Sequence, residues 1–219
     1  MQLNSVSQSL IDCLYSLSRV SAGVTVAFIA GVALGILRSQ APHWLKKNWL
    51  FNFFLDAPKF PPPIAWVPFV VLFIGIGELS GYVIVFIGAV SPIFTATYQG
   101  IEKIPRIIIW TARSLELSKT RYYFQVLFMS SLPQIMTGVR SGLSMGWMSV
   151  IAAEMIVGQA GLGYSIQLNR INMQYVSMAF DIALIGFIGF LLNQLMNSIE
   201  KYVLAWHDSA GNESGGARA

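Results

Sequence analysis

Charges in this chain are segregated into clusters, and the uncharged runs between them are as long as a bilayer is thick. Between Arg19 and Arg38 lie eighteen uncharged residues, Val20 to Leu37; eighteen more separate Lys59 from Glu78, and twenty-three separate Glu78 from Glu102. A helix needs about 20 mostly apolar residues to cross about 30 Å of hydrocarbon. A fourth run, from about Gln134 to Val157, holds two charges, Arg140 and Glu154; a fifth, about Val176 to Ile199, holds only Asp181. Stretches such as Trp66 to Phe73 are apolar on every side, without the alternation a barrel strand shows. Helices also satisfy their own backbone groups in lipid. The expected class is an all-α membrane protein with about five transmembrane helices. Composition agrees, since only 11% of the 219 residues are charged, against about a quarter in a soluble domain.

The net charge of +4 is not a nucleic-acid signature, because Lys and Arg occupy the gaps between apolar runs and form no separate basic domain. Arg38, Lys46, Lys47 and Lys59 fill the first gap, and Lys103, Arg106, Arg113, Lys119 and Arg121 the third; Arg170 stands alone in the fourth. Nine basic residues against one make gaps one and three cytoplasmic, with the N-terminus outside and the C-terminus inside. Residues 1–19 are polar, contain Asp12 and lack a basic start; they read as an extracytoplasmic or interfacial segment rather than a signal peptide. Residues 20–199 form the expected permeation domain, and the Gly/Ser/Ala-rich end, within 200–219, reads as a disordered cytoplasmic tail. Cys13 is the single cysteine, which leaves no internal disulfide.

Residues 100–133 are too long for a turn and too polar for a sixth span. Their pattern predicts one or two short cytoplasmic helices under the bundle, resting on headgroups or docking a partner, and ended by Pro133 where the fourth span starts. In that span Gly138, Gly142 and Gly146, followed by Ser149 and Ala153, form a strip of small residues. Such spacing permits close helix approach, either inside the subunit or lining a pathway where two subunits meet. Arg140 and Glu154 are fourteen residues apart, about 21 Å along a helix, so they share a face but cannot pair; each either snorkels or serves gating and charge balance. The Gly158–Ser165 segment lacks the Lys of a phosphate-binding loop. With two histidines and no HExxH pattern, no metal, cofactor or catalytic apparatus is visible, and the chain is not expected to be an enzyme.

The order of several short motifs resembles one family. Ser18-Arg19-Val20-Ser21-Ala22-Gly23 opens the first span, and Phe73 through Ser80 follows the second. Ala112-Arg113-Ser114-Leu115 leads through Ser118-Lys119 to Ser131-Leu132-Pro133. Thr137-Gly138-Val139-Arg140, Val150 through Met155, and Gly161-Leu162-Gly163-Tyr164 complete the set. From about Ser18 to Asn197 the chain is similar to permeases of the nitrate/sulfonate/taurine/bicarbonate group of bacterial ABC importers. The resemblance implies a type I importer bundle in the cell inner membrane, with a second permease subunit, two cytoplasmic ABC ATPase subunits and an extracytoplasmic solute-binding protein. It implies that Ala112, Leu115, Glu116, Leu117 and Ser118 belong to a coupling helix docked on the ATPase, and that the solute is small and hydrophilic, an oxyanion or sulfonate. Two features depart from the family: its Glu-Ala-Ala start reads Trp110-Thr111-Ala112, and Glu116 stands where it has glycine. The chain also opens where the family's second span opens, as a shortened subunit, a misassigned start or half of a heterodimer would. A stand-alone transporter or channel, and a non-transporting scaffold, remain the rival readings.

Overall fold

Apolar runs become helices because lipid offers the backbone no other partner, and small residues then decide how those helices meet. A computed structural model describes residues 2–215, with side-chain surroundings over 9–205, and no strand occurs among the described residues. Helix α1 (Gln2–Gln40) contains the first expected span. The polar residues expected to precede that span continue the same helix, because several of their side chains find buried partners. Helices α2 (His43–Lys47) and α3 (Trp49–Asp56) follow, then 3₁₀ turns at Ala57–Lys59 and Pro63–Trp66, then α4 (Val67–Ile74).

The second expected span is therefore not one straight helix. Pro63–Ile74 would reach only about 18 Å at 1.5 Å per residue, and it meets Trp49–Lys59 at 97°. Pro61, Pro62 and Pro63 lack the N–H donors needed to carry a helix through the corner. Charge pins the elbow in place. Asp56 accepts from Arg38 at 2.7 and 3.2 Å and pairs with Lys59 at 2.7 Å, while the Arg38 guanidinium lies 4.4 Å from the Tyr98 ring centre.

Helix α5 (Glu78–Glu102) keeps the boundaries its charges marked. After α6 (Arg106–Ser114) come α7 (Lys119–Arg121), a π-helical stretch Tyr122–Phe128 and α8 (Met129–Val157). Pro133 does not open the fourth span, as expected from sequence, but lies inside α8. The wider π turns just upstream fall where the proline ring and its missing donor disturb the regular ladder. Helix α9 (Leu162–Ile171) is set at 43° to the preceding helix, and α10 (Tyr175–Gly215) carries the fifth span. Helix thus continues to Gly215 where composition predicts a disordered tail; residues 216–219 lie outside the described residues. Among the described residues three helices are long and apolar enough to cross a membrane, or five if each bent pair counts as one span. The class is all-α membrane protein, as the apolar runs predict.

Helix α5 lies between α1 and α8 and is the centre of the bundle. Gly138, Gly142 and Gly146 face it: a Cβ on Gly138 would stand 2.6 Å from the Ala96 Cβ and 3.2 Å from the Ile93 Cα, and one on Gly142 would stand 2.9 Å from the Ala89 carbonyl oxygen. On the opposite side Gly23, Gly31 and Gly35 of α1 meet Val85, Ile93 and Thr97 at 2.6–2.9 Å in the same sense, with Ala27 buried between them. Helices this close gain dispersion contacts along their whole length, which is what association in lipid relies on. Replacing Gly138 with Val should lower the thermal unfolding midpoint of the detergent-solubilised protein, through about 1–3 kcal/mol of overpacking. Gly186→Ala, where nothing lies within 4 Å, should not lower it and should raise it slightly through the better helix propensity of alanine. Equal midpoints for wild type and Gly138→Val would contradict the close packing.

Candidate functional site

The 106–118 segment, where coupling residues were expected, stands outside the apolar spans. Of α6, Ala112 is buried, while Ile107, Trp110 and, just past its end, Leu115 (66% exposed) form an outward apolar ridge flanked by Arg106 and Arg113. The helix ends through Leu115 N–H donating to the Thr111 carbonyl and Glu116 N–H donating to that of Arg113. Glu116 then adopts φ +47°, the left-handed conformation of a helix C-terminus. Only a residue without Cβ enters that region without strain, which explains why glycine suits this position. Leu117 is partly buried, and the exposed Ser118 caps α7 by accepting from Arg121 N–H at 3.5 Å. The five residues expected to couple thus form one short surface: Ala112 anchors, Glu116 turns the chain, Leu115 projects.

Glu154 does not snorkel. It is 2% exposed and sits at the centre of a polar cluster at the Glu78 end of the bundle. Arg19 Nη1 donates to its Oε1 at 2.6 Å, Ser16 Oγ lies 2.8 and 2.9 Å from its two oxygens, and Gly163 N–H donates to Oε2 at 3.0 Å. Arg19 also donates to Glu78 and to the Ala160 carbonyl. The first N–H groups of α9 would otherwise be orphaned; Leu162 N–H donates to Ser16 Oγ at 3.0 Å, and Gly161 N–H just before it donates to Asp12 at 3.1 Å. Gly161, at φ +111°, lies so close to the Glu154 carboxylate that no side chain fits. The glycine-rich loop is therefore a wrap around a buried carboxylate. Asp181, 1% exposed, forms a second knot with Ser9, Ser165 and Asn169 at 2.7–3.1 Å.

Arg140 behaves differently, since its side chain is 45% exposed and lies between α8 and α10. Its Nε donates to Asn193 Oδ1 at 3.2 Å, and Glu200 is 3.7 Å from Nη1. The structure therefore separates the two charges the sequence treated alike: Glu154 is enclosed, Arg140 open. It also places the Gly138/Gly142/Gly146 strip in the internal α5–α8 contact, facing away from that opening. Sequence reasoning missed Arg19, Glu78, Asp12 and Ser16. A signal was present, because Ser9, Asp12, Ser16 and Arg19 recur at three- and four-residue spacing and so mark one face of a helix. Among the described residues no three His, Cys, Asp or Glu side chains converge as a metal site.

Breaking a buried pair strands one charge, at about 3–5 kcal/mol. Arg19→Met should therefore sharply destabilise the solubilised protein, and adding Glu154→Gln should recover part of the loss; no recovery would show the two not to be coupled. Glu116→Gly relieves the left-handed backbone and should raise the unfolding midpoint slightly, by about 1 kcal/mol or less after the entropy cost of glycine. A lowered midpoint would contradict the φ of this turn.

Comparison with known proteins agrees with this architecture. Residues 23–205 match the family described as binding-protein-dependent transport system inner membrane component. The nitrate import permease protein NrtB of Synechocystis sp. is 32% identical over 202 residues, 89% of this chain and 70% of that protein. The taurine transport system permease protein TauC of Escherichia coli is 28% identical over 88% of this chain and 69% of its own, and the bicarbonate transport system permease protein CmpB of Synechococcus elongatus 32% over 86% and 67%. Among solved structures, the inward-facing MetNI methionine ABC transporter superposes with TM-score 0.69 at 20% identity, over 87% of this chain and 93% of that one. An amino acid ABC transporter crystallised with histidines gives 0.69 at 13% identity, over 92% and 94%. These last two speak for the fold alone. With a buried polar spine, a projecting elbow and a family match across its spans, the chain belongs to the inner membrane components of binding-protein-dependent transport systems and is a permease subunit of an ABC importer.

Proposed function

We propose that this permease pairs with a second permease subunit, identical or related, through the open α8–α10 face, and that cytoplasmic ATPases grip the 106–118 elbow. The Glu102 end of the bundle is then cytoplasmic, in keeping with nine basic residues in gaps one and three. An extracytoplasmic binding protein delivers the solute at the Glu78 end, across the inner (plasma) membrane of a bacterial cell. The solute is small and hydrophilic, an oxyanion or sulfonate; relatives are named for nitrate, taurine and bicarbonate, which are two oxyanions and a sulfonate.

One observation carries this reading: α6 exposes Ile107, Trp110 and Leu115 outside the spans while burying Ala112. An exposed apolar ridge on a short, anchored helix fits a cleft on a soluble partner. ATPase closure would push on this lever, and the rigid continuation from Lys119 through α8 would transmit the push into the bundle. Co-expression with its partner ABC ATPase tests the idea. Leu115→Asp with Leu117→Asp should abolish ATPase co-purification while leaving the helical content and unfolding midpoint of the permease near wild type. Undiminished co-purification would refute docking through this elbow. Cysteines placed at Lys119 or Arg121 should react with impermeant reagents only from the cytoplasmic side; labelling from outside intact cells would invert the topology.

A further inference from the structure

Arg140 lies six residues into the fourth apolar run, about 9 Å from its start near Gln134, on the longer arm of a bent helix pair apolar enough to span. A guanidinium facing hydrocarbon inside a span is unfavourable, so the face that carries it meets water or protein instead. Other residues on that face agree. Thr137, Ser141 and Ser144 are exposed on α8 at helical spacing with Arg140, and Asn193, Gln194, Asn197 and Ser198 line the facing side of α10. Two cavities open along this groove. One of about 160 Å³ is bounded by Ser144, Trp147 and Met148 toward the Glu78 end; one of about 510 Å³ is bounded by Asn197, Glu200 and Lys201 toward the other. Arg140 lines both, and so occupies the waist between them.

We propose that Arg140 is the charge-selecting residue of the translocation path, binding a small oxyanion or sulfonate as it passes from one cavity to the other. This rests on the permease reading and on the pairing face proposed above. Asn193 holds Nε at 3.2 Å and thereby aims the terminal nitrogens into the groove. Glu200, at 3.7 Å from Nη1, is beyond hydrogen-bond reach and balances the charge without occupying the donors. An incoming oxyanion meets a preoriented fork with free N–H groups, the geometry that binds two oxygens at once. A cation of the same size meets only the positive, groove-facing edge of the guanidinium, which repels it and offers it no acceptor. The contact is transient because Glu200 remains close enough to recapture the guanidinium once the anion moves on.

The test uses the assembled transporter in membranes, with Cys13→Ser and a reporter Ser144→Cys. Modification rates are compared for negatively and positively charged methanethiosulfonates of similar size. With Arg140 present, the anionic reagent should react at least about tenfold faster, and millimolar nitrate should slow it. Arg140→Gln should bring the two rates together. Arg140→Lys should keep the charge preference but lose the protection by nitrate, since an ammonium offers no fork. Equal rates for both reagents with Arg140 intact, or a reporter inert to both, would overturn the proposal. ATPase co-purification is scored on the same preparations: its loss with the unaltered chain counts against the permease reading, whereas an absent charge preference with the ATPase in place counts against Arg140 alone.

Discussion

The contact of α5 with two glycine-lined helices is the constraint from which the rest of this bundle follows. Lipid is as apolar as a leucine side chain, so helices in a membrane gain nothing from merely hiding apolar surface from one another. What they gain is contact density, and that requires backbones to approach. Gly23, Gly31 and Gly35 admit α5 on one side, and Gly138, Gly142 and Gly146 admit it on the other. Once α5 is held so, its first residue Glu78 stands beside Arg19, and Gly88 stands beside Ser149 on α8. By contrast α10 buries little of its apolar surface, only 11% of its span window against 44% for α5. A spanning helix so thinly packed leaves a long face open for a neighbour, whether lipid or another subunit.

Polar groups in the spans fall into two physical kinds, enclosed and open. Glu154, Asp181, Ser16 and Arg19 are enclosed, and their polar atoms have several partners drawn from α1, α8, α9 and the loop between the last two. Such a cluster fixes the position of α9 against α1, because any displacement would leave a buried charge without its counter-charge. Arg140 has two loose partners and an open side. Buried polar groups with every bond made hold the fold, whereas Arg140 is 45% exposed and makes a single side-chain hydrogen bond among the described residues.

The 106–118 elbow shows the same economy on a smaller scale. Ala112 is small enough to sit against the bundle, and the residues around it project outward. Glu116 occupies a left-handed turn that glycine would fill without strain, yet the turn keeps its form because Leu115 and Glu116 N–H groups cap the end of α6. The altered residue therefore changes the chemistry of the elbow more than its path. ATP hydrolysis belongs to a separate subunit.

Much of this was legible along the chain because it depends on local composition. The α5 boundaries, the apolar spans and the basic gaps follow from where charges fall, since each charge in lipid costs energy wherever the helix goes. The small residues at 138, 142 and 146 announced a close contact, and the matching row at 23, 27, 31 and 35 was equally readable though it went unread. The right-angle elbow at Pro61–Pro63, the passage of α8 through Pro133 and the continuation of α1 through its polar start needed the fold, because each depends on partners distant in sequence. So did the fates of Arg140 and Glu154. Fourteen residues apart on one helix, they are alike to any local rule, and only the arrival of Arg19, 135 residues away, closes over one while the shallow packing of α10 leaves the other open. Sequence alone set where helices cross lipid, because transfer from water is a property of each segment; tertiary structure alone decided which charges are silent, because burial is a property of neighbours.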